Sequence, residues 1–215
     1  MRWFNWLFPE KCVLCDKILE DSELDLCRNC RVHEPRHPIL RDKYTFIHQW
    51  TALWYYEDQA RKSLLRYKFG GKRHYAAAYG RLLAAKLLGE DRLDVDLITW
   101  VPISKKRRRR RGFDQVQLLA EKLCGEVDAT PVATLQKLRD NKQQSKIVGQ
   151  AQRRANVLGV YRVIDPDLVS GKRILLLDDI LTTGATAGEC ARVLLTAGAK
   201  EVDLAVVAAV RHPKK

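Results

Sequence analysis

The sequence predicts an α/β protein: an open, mostly parallel sheet with helices on both faces, preceded by a small module built on cysteines. Strands alternate with helical segments over most of the chain, which is the pattern of βαβ units. The run "RILLLDD" is apolar almost without interruption, as is typical of a parallel strand buried on both faces. Four of the six cysteines lie within the first 30 residues, in two C-x₂-C pairs.

The cysteine pairs indicate a structural zinc site, because two such knuckles bring four thiolates onto one tetrahedral ion. Eleven residues separate the pairs "CVLC" and "CRNC". Two disulfides or four free thiols are the alternatives, and a reducing cytosol disfavours both. We expect a four-cysteine zinc ribbon over residues 1–42 and a second domain over residues 43–215. The predicted ligands are Cys12, Cys15, Cys27 and Cys30.

The first half of the second domain begins with a β-rich stretch and continues with helices. "YTFIHQWTALWYYE" carries the aromatic and β-branched residues that strands favour. Helices are predicted over residues 57–69 and 72–89; in the second, apolar residues recur at helical spacing. The next strand, "DLITWVP", stops at a proline.

The second half continues the alternation. Asp114 is a start signal for a helix over residues 114–127, and "VYRVI" predicts a strand. The "RILLLDD" strand follows a Ser-Gly turn. A helix over residues 185–199 then ends at Gly198, and "EVDLAVVAAV" is the last strand. Cys124 and Cys190 fall in helical patterns and are predicted to be small core residues.

The net charge of +13 favours an anionic partner, which composition alone leaves open among phosphometabolites, nucleic acid and acidic lipid. About half of this excess lies in the seven basic residues 105–111 of "VPISKKRRRRRGFDQ". No segment approaches the roughly 18 consecutive apolar residues of a transmembrane helix. Without an export signal, we expect the chain to be cytoplasmic.

The segment "LLLDDILTTGATAGE" carries the clearest chemistry. A buried strand ends in Asp178 and Asp179, whose carboxylates suit vicinal hydroxyls. The following glycine and threonines can surround a phosphate with backbone N–H groups and hydroxyls. Thr186 to Glu189 fits a capping box, which predicts a helix start at about residue 186. Together these features describe a ribose 5-phosphate site, although a solvated Asp pair before a Thr-rich turn is the plainer alternative.

This segment resembles the phosphoribosyl pyrophosphate (PRPP) motif of the type I phosphoribosyltransferases, D-D-x-x-T-T-G-x-T. It matches at Asp178, Asp179, Thr182, Thr183, Gly184 and Thr186. With "LFPEKCVLC…CRNC", "YKFGGK", "VP…RRGFDQ" and "R…Q…RRAN", nearly the whole chain resembles the ComF family, competence-associated relatives of amidophosphoribosyltransferase.

The resemblance implies a type I phosphoribosyltransferase fold behind a zinc ribbon, with PRPP as ligand and Mg²⁺ bound with it. Asp178 and Asp179 would hold the ribose hydroxyls. The 5-phosphate would lie in the loop formed by Thr182, Thr183, Gly184, Ala185 and Thr186. The strand-end loop with the basic run would hold the pyrophosphate. Its candidate residues are Lys105, Lys106, Arg107, Arg111 and Gly112, with charge added by Lys68 and Lys72.

A second loop, over residues 138–156, would close over the site. Its candidates are Arg139, Gln144, Arg153 and Asn156. The chain departs from the family at Asp114, where Asn is common, and near Asn141, where Thr is common. A carboxylate at position 114 would oppose a pyrophosphate unless it pairs with the basic run or caps the following helix.

Three functions remain open on these grounds. The first is an active transferase that displaces pyrophosphate from ribose C1. The second is an accessory in natural transformation that binds single-stranded DNA and works with DNA-uptake proteins, using the basic run and nearby aromatic residues. The third is a PRPP or nucleotide sensor without turnover. For Trp50, Trp54 and Tyr56, core packing is favoured over base stacking.

Overall fold

The computed structural model describes residues 9–35, 37–38, 42–141 and 149–211. The strands are β1 (Trp50–Tyr55), β2 (Leu97–Trp100), β3 (Leu135–Lys137), β4 (Tyr161–Val163), β5 (Arg173–Leu181) and β6 (Glu201–Ala209). The principal sheet has four parallel strands in the order β1, β6, β5, β2. The helices are α1 (Arg28–Val32), α2 (Asp58–Phe69), α3 (Tyr75–Gly89), α4 (Lys105–Arg111), α5 (Gln115–Glu126), α6 (Gln150–Val157) and α7 (Ala185–Thr196).

Helices cover both faces of this sheet. Successive side chains of a strand point to opposite faces, so alternate residues of β5 pack in two different cores. Leu175 and Leu177 of β5 pack in one core with α2, α3 and α5. Ile174 and Leu176 pack in a second core with α7 and the β3–β4 pair. The predicted open, parallel α/β fold is therefore confirmed.

Three differences from the sequence predictions concern short or irregular elements. Only Trp50–Tyr55 of the β-rich stretch forms a strand, and α3 begins at Tyr75 rather than at residue 72. The antiparallel pair β3–β4 includes β3, which was not predicted. A three-residue strand is too short to show a periodic pattern.

The basic run forms a helix, α4, and not the loop that was expected. The Ser104 side chain accepts a hydrogen bond from the Arg107 N–H at 3.2 Å, which caps the first turn. Gly112 ends the helix in the left-handed conformation at φ 78°. Arginine and lysine favour helices through their unbranched side chains, but a run of charges carries no apolar period that predicts one.

The cysteine knuckles pack directly on α2 and α3. Val13, Leu14 and Leu26 are buried in the same core as α3 and α5. The Val13 and Leu14 carbonyls accept hydrogen bonds from Ser63 and Arg66 of α2. The boundary between residues 42 and 43 stays a prediction, and residues 39–41 lie outside the described part of the chain.

Packing accounts for the aromatic residues of β1. Trp50 is 7% exposed and Trp54 is fully buried, with its indole N–H donating to Glu34 at 2.8 Å. Tyr56 is partly buried against the same core. The described residues include no helix that is long and apolar enough to cross a membrane.

Candidate functional site

The candidate site lies where β2 ends beside β5, which continues to Leu181 and does not end at the Asp pair as predicted. Trp100, the last residue of β2, pairs with Leu177 of β5, so Asp178 and Asp179 lie just beyond that pairing. Helix α4 follows β2, and the threonine-rich loop follows β5. Ligands of open α/β sheets bind at this carboxyl edge.

The two carboxylates have different surroundings, as expected for consecutive residues of a strand. Asp179 is 5% exposed and forms an ion pair with Lys68 Nζ at 2.8 Å. It also accepts a hydrogen bond from Gln115 Nε2 at 2.9 Å. Asp178 is half-buried and accepts one from the Asp179 N–H at 2.8 Å. Burial, and then the negative charge of Asp179, raise the pKa of Asp178 well above its usual range.

Lys137 is a lysine of this region that the sequence analysis missed. It lies on β3, donates to the Tyr161 hydroxyl at 3.0 Å, and has its ammonium 5.0 Å from the centre of that ring. Burial, and then the charge of Arg107, lower the pKa of Lys137 to about 8. The negative charge of Asp178 acts in the opposite direction and partly offsets this shift. Its sequence signal was absent, because "LQK" looks like any loop segment and only the fold buries this lysine.

The loop after β5 is held by Gly184, which has φ 74° and is the N-cap of α7. A Cβ at this position would lie 2.3 Å from Cδ1 of Tyr44, so glycine is required both by its conformation and by this contact. The Tyr44 hydroxyl is buried, and among the described residues it has no hydrogen-bond partner. Tyr44 was not identified from the sequence.

The predicted capping box is wrong. Helix α7 begins at Ala185 behind Gly184, and no side chain caps it. Glu189 instead accepts from the Gly159 N–H at 2.9 Å and pairs with Arg192 at 2.8 Å. The T-x-x-E spacing was present, but Thr186 already lies within the helix, too late in the chain to be its cap.

Helix α4 presents two of its basic residues toward the site. Arg107 and Arg111, one turn apart, are half-buried, whereas Lys105, Lys106 and residues 108–110 are exposed. Arg107 donates to the Asn141 carbonyl at 2.7 Å and lies 3.5 Å from Asp140. The Arg111 guanidinium lies 5.0 Å from the centre of the Phe69 ring. Its charge interacts with that of Asp179, which places it on the carboxylate side of the site.

Asp114, at the position where the family commonly has Asn, caps α5. It accepts hydrogen bonds from the N–H groups of Ile103, Val116 and Gln117 at 3.1, 3.0 and 3.2 Å. Burial raises the pKa of Asp114 against the effect of these bonds. Its carboxylate therefore organises the turn between α4 and α5.

The remaining predicted residues are more dispersed. Lys72 forms an ion pair with Asp16 of the cysteine module at 3.1 Å. Arg139 is exposed and donates to the Leu158 carbonyl at 3.2 Å. Arg153 lies on α6, and the Asn156 carbonyl of the same helix accepts from Asn141 at 2.9 Å. Gln144 lies outside the described residues.

The four cysteines converge as predicted. Their sulfurs all lie within 4.8 Å of one another, and those of Cys15 and Cys27 are 3.6 Å apart. Sulfurs bound tetrahedrally to zinc at about 2.3 Å would be about 3.8 Å apart. The donor set and its spacing fit a closed zinc site with four thiolate ligands, with no coordination position left for a substrate.

Comparisons with known proteins agree with this architecture. The phosphoribosyl transferase domain family matches residues 109–215. The competence protein ComFC of Bacillus subtilis (strain 168) is 29% identical over 197 residues, covering 87% of this chain and 72% of that protein. The DNA utilization protein YhgH of Salmonella typhi is 32% identical over 142 residues. That match covers 64% of this chain and 61% of YhgH, so the chain spans less than two thirds of that relative.

Among solved structures, the allosteric regulatory enzyme of purine biosynthesis aligns with a TM-score of 0.45 and 21% identity, over 66% of this chain and 29% of that chain. The sequence relatives and the domain match carry the assignment. With a phosphoribosyl transferase domain behind a four-cysteine cluster, the chain is a relative of the ComFC and YhgH proteins.

Proposed function

We propose that the protein binds PRPP with Mg²⁺ at the carboxyl edge of β2 and β5, and that it transfers the phosphoribosyl group to a nucleophile. The observation that carries this proposal is a pair of buried polar atoms with no partner among the described residues, Arg111 Nε and Gln115 Oε1. Leaving such atoms unpaired costs about 1–3 kcal/mol each. Both belong to residues that interact with Asp179, and an anionic, hydroxyl-rich ligand would supply the missing partners.

Each part of PRPP has a matching part of the site in this proposal. Residues 182–186 and the amino end of α7 bind the 5-phosphate, with Gly184 allowing close approach. Asp178 and Asp179 accept hydrogen bonds from the ribose hydroxyls. Arg107 and Arg111 of α4, together with Lys105, Lys106 and Gly112, bind the pyrophosphate. Arg139 and Arg153 belong to the segment that would close over it.

Lys68 has a positioning role in this proposal. Its ammonium lies 2.8 Å from Asp179 in surroundings where both side chains are largely buried. The pair holds the Asp179 carboxylate in place until a ribose hydroxyl binds.

The carboxylates also suit Mg²⁺, which takes oxygen ligands and borrows phosphate oxygens from its substrate. Asp178 and Asp179 are the residues that would hold it, and the ion would neutralise charge on the leaving pyrophosphate. The chain itself orients the ribose and excludes water. At C1, the bond to the nucleophile forms as the bond to pyrophosphate breaks, and the pyrophosphate leaves with the electron pair.

Thermal unfolding with PRPP and Mg²⁺ tests the binding. At about 100 times the dissociation constant, a ligand stabilises by about 2.7 kcal/mol, or roughly 5–10 °C here. The Asp178→Ala/Asp179→Ala variant should lose this shift, and an unshifted wild type at millimolar PRPP would refute the proposal. Pyrophosphate release on addition of candidate nucleophiles then separates a transferase from a sensor that binds without turnover.

A second candidate function is the binding of single-stranded DNA. Arg108, Arg109 and Arg110 are exposed, and within the described chain none of them has an ion pair. The relatives' names, competence protein and DNA utilization protein, support this candidate and a partnership with DNA-uptake proteins. Cysteine thiolates held on zinc suit a cytoplasmic location.

Salt dependence tests the DNA candidate. The logarithm of the oligonucleotide affinity should fall steeply with the logarithm of the salt concentration, with about 0.7 units of slope for each phosphate neutralised. Replacing Arg109 and Arg110 by Gln should flatten the slope by about one to two units. An unchanged slope would remove α4 from the interface.

A further inference from the structure

A cleft of about 610 Å³ lies between the start of α3, the end of α4 and the first turns of α5. This volume is within the range of small-molecule sites, about 300–1,000 Å³. The close packing of α3 and α5 forms its base. A Cβ on Gly80 would lie 2.9 Å from the Leu123 nitrogen, so the two helices approach almost backbone to backbone.

The cleft is separate from the candidate site around Asp178, Asp179 and Arg111, which we call the strand-end site. Arg111 extends from α4 toward Phe69 and Asp179, whereas Arg73 lies over Phe113 with its guanidinium 4.8 Å from the ring centre and donates to the Gly112 carbonyl. Gly112, Phe113 and Asp114 line the cleft, whereas Arg111, Phe69 and Asp179 do not.

One end of the cleft is basic. Arg73 and Arg108 line it, and no carboxylate in the described chain forms an ion pair with either. Asp114, a carboxylate that also lines the cleft, already accepts three backbone N–H groups. Two guanidinium groups without a counter-ion are the donors that a phosphate monoester recruits.

The rest of the cleft is partly apolar and does not suit a small inorganic anion such as free phosphate. Ala77 and Leu118 provide an apolar wall, and the small side chain of Ala77 leaves room for a flat group. Farther along α5, Gln117 donates to Glu121 at 3.0 Å. Within the described chain, neither the amide oxygen of Gln117 nor the second carboxylate oxygen of Glu121 accepts another hydrogen bond. Adjacent acceptors match the amino group of a nucleobase.

We propose that this cleft binds a nucleoside monophosphate whose base carries an amino group, with the phosphate at Arg73 and Arg108 and the base edge at Gln117 and Glu121. A free nucleotide and one unit of a DNA strand share this chemistry. The arrangement of one basic end, one apolar wall and one pair of acceptors favours a ligand that ends within the cleft.

Titration calorimetry of the full chain with CMP, UMP, ribose 5-phosphate and a deoxycytidine oligonucleotide tests the proposal. CMP should bind about fivefold more tightly than UMP, which presents a carbonyl where CMP presents the amino group. Arg108→Glu should weaken CMP binding at least tenfold. Arg109→Glu is the matched control, since Arg109 is exposed on the same helix but outside the cleft wall. Ala77→Leu should block CMP by filling the cleft without changing any charge.

The outcome does not depend on the PRPP proposal. An Asp178→Asn/Asp179→Asn variant should keep its CMP affinity, and Ala77→Leu should keep its thermal shift with PRPP. The proposal is overturned if no nucleotide binds at millimolar concentration, if CMP and UMP bind equally, or if the Asp178→Asn/Asp179→Asn variant loses CMP. Binding of the oligonucleotide without binding of CMP would likewise overturn it and favour a DNA surface on α4.

Discussion

The cysteine module and the strand-end site both contact α2, and they differ in how completely their polar groups are satisfied. On the module side, Arg66 donates to the Leu14 carbonyl, and Tyr75 donates to Asp16 at 2.8 Å. At the strand end, Arg111 Nε and Gln115 Oε1 are buried without a partner in the described chain, and two carboxylates are adjacent. The hydrogen bonds of the cysteine module stabilise the fold. The strand-end site instead retains polar atoms without hydrogen-bond partners, which a ligand can supply.

Two residues of α2 connect the regions. Arg66 holds the cysteine module, and Lys68 holds Asp179. The module and the carboxylates are therefore both anchored to α2.

The largest effect is expected from loss of the zinc site. Cys27→Ala should release the metal and cost about 4 kcal/mol or more, because a vacated metal site is among the most damaging single changes. Cys124→Ala is the matched control, since Cys124 is also buried but lies outside the cysteine cluster. Metal analysis and denaturant unfolding measure both variants. Equal stabilities would mean that the module is not a metal-supported part of the core.

The next effect separates the two ion pairs near α2. Lys68→Met leaves Asp179 as a buried charge without its partner and should cost about 3–5 kcal/mol. Lys72→Met breaks the more exposed pair with Asp16 and should cost about 1 kcal/mol or less. Adding Asp179→Asn to Lys68→Met should recover part of the loss. Similar losses for the two lysine variants in urea unfolding would show that the strand-end pair is not special.

Gly184→Ala should cost about 2–4 kcal/mol, because it combines a strained φ with overlap against Tyr44. Gly171→Ala isolates the backbone effect, since Gly171 also has positive φ but has open space around it, and about 1–2 kcal/mol is expected. PRPP binding should be lost only in the first variant. If both unfold at the same temperature, the Tyr44 contact does not shape the loop.

The smallest effect is a gain. Because the folded state raises the pKa of Asp178, it binds a proton more tightly than the unfolded state does. Stability is then lost as the pH rises from about 4, the ordinary carboxyl value, through the raised pKa. Asp178→Asn should remove this decline and raise the melting temperature at pH 8 by about 2–4 °C, or roughly 1 kcal/mol.

Ligand binding should respond in the opposite direction. PRPP with Mg²⁺ needs the ionised carboxylate, so wild-type affinity should increase with pH over that same interval, and Asp178→Asn should bind weakly at every pH. If Asp178→Asn is less stable than wild type at pH 8, burial and the charge of Asp179 do not disfavour the ionised form of Asp178.

The sequence predicted the elements whose signals are periodic or strictly spaced. The β5 strand, the helix that follows it and the cysteine cluster all follow from local pattern. Helix α4 was missed because seven charges in succession have no apolar face, although Ser104 and Gly112 are its start and stop signals. The capping box failed because a glycine with positive φ can begin a helix without a side-chain cap.

The sequence indicated candidate side chains for the site but none of the pairings between them. Lys68 and Gln115 both contact Asp179, although they lie 111 and 64 positions before it in the chain. Such contacts depend on the tertiary fold. The contact of Tyr44 with Gly184 and the bond of the half-buried Lys137 to Tyr161 are of the same kind. These pairings join residues that are distant in the chain, so packing alone reveals them.

A crystal structure of the protein with PRPP and Mg²⁺ tests the central claim most directly. We expect the 5-phosphate against residues 182–186, the ribose hydroxyls on Asp178 and Asp179, and the pyrophosphate against Arg111, with partners supplied to Arg111 Nε and Gln115 Oε1. Density for PRPP at any other place, or a strand-end site without ligand under saturating conditions, would contradict the account.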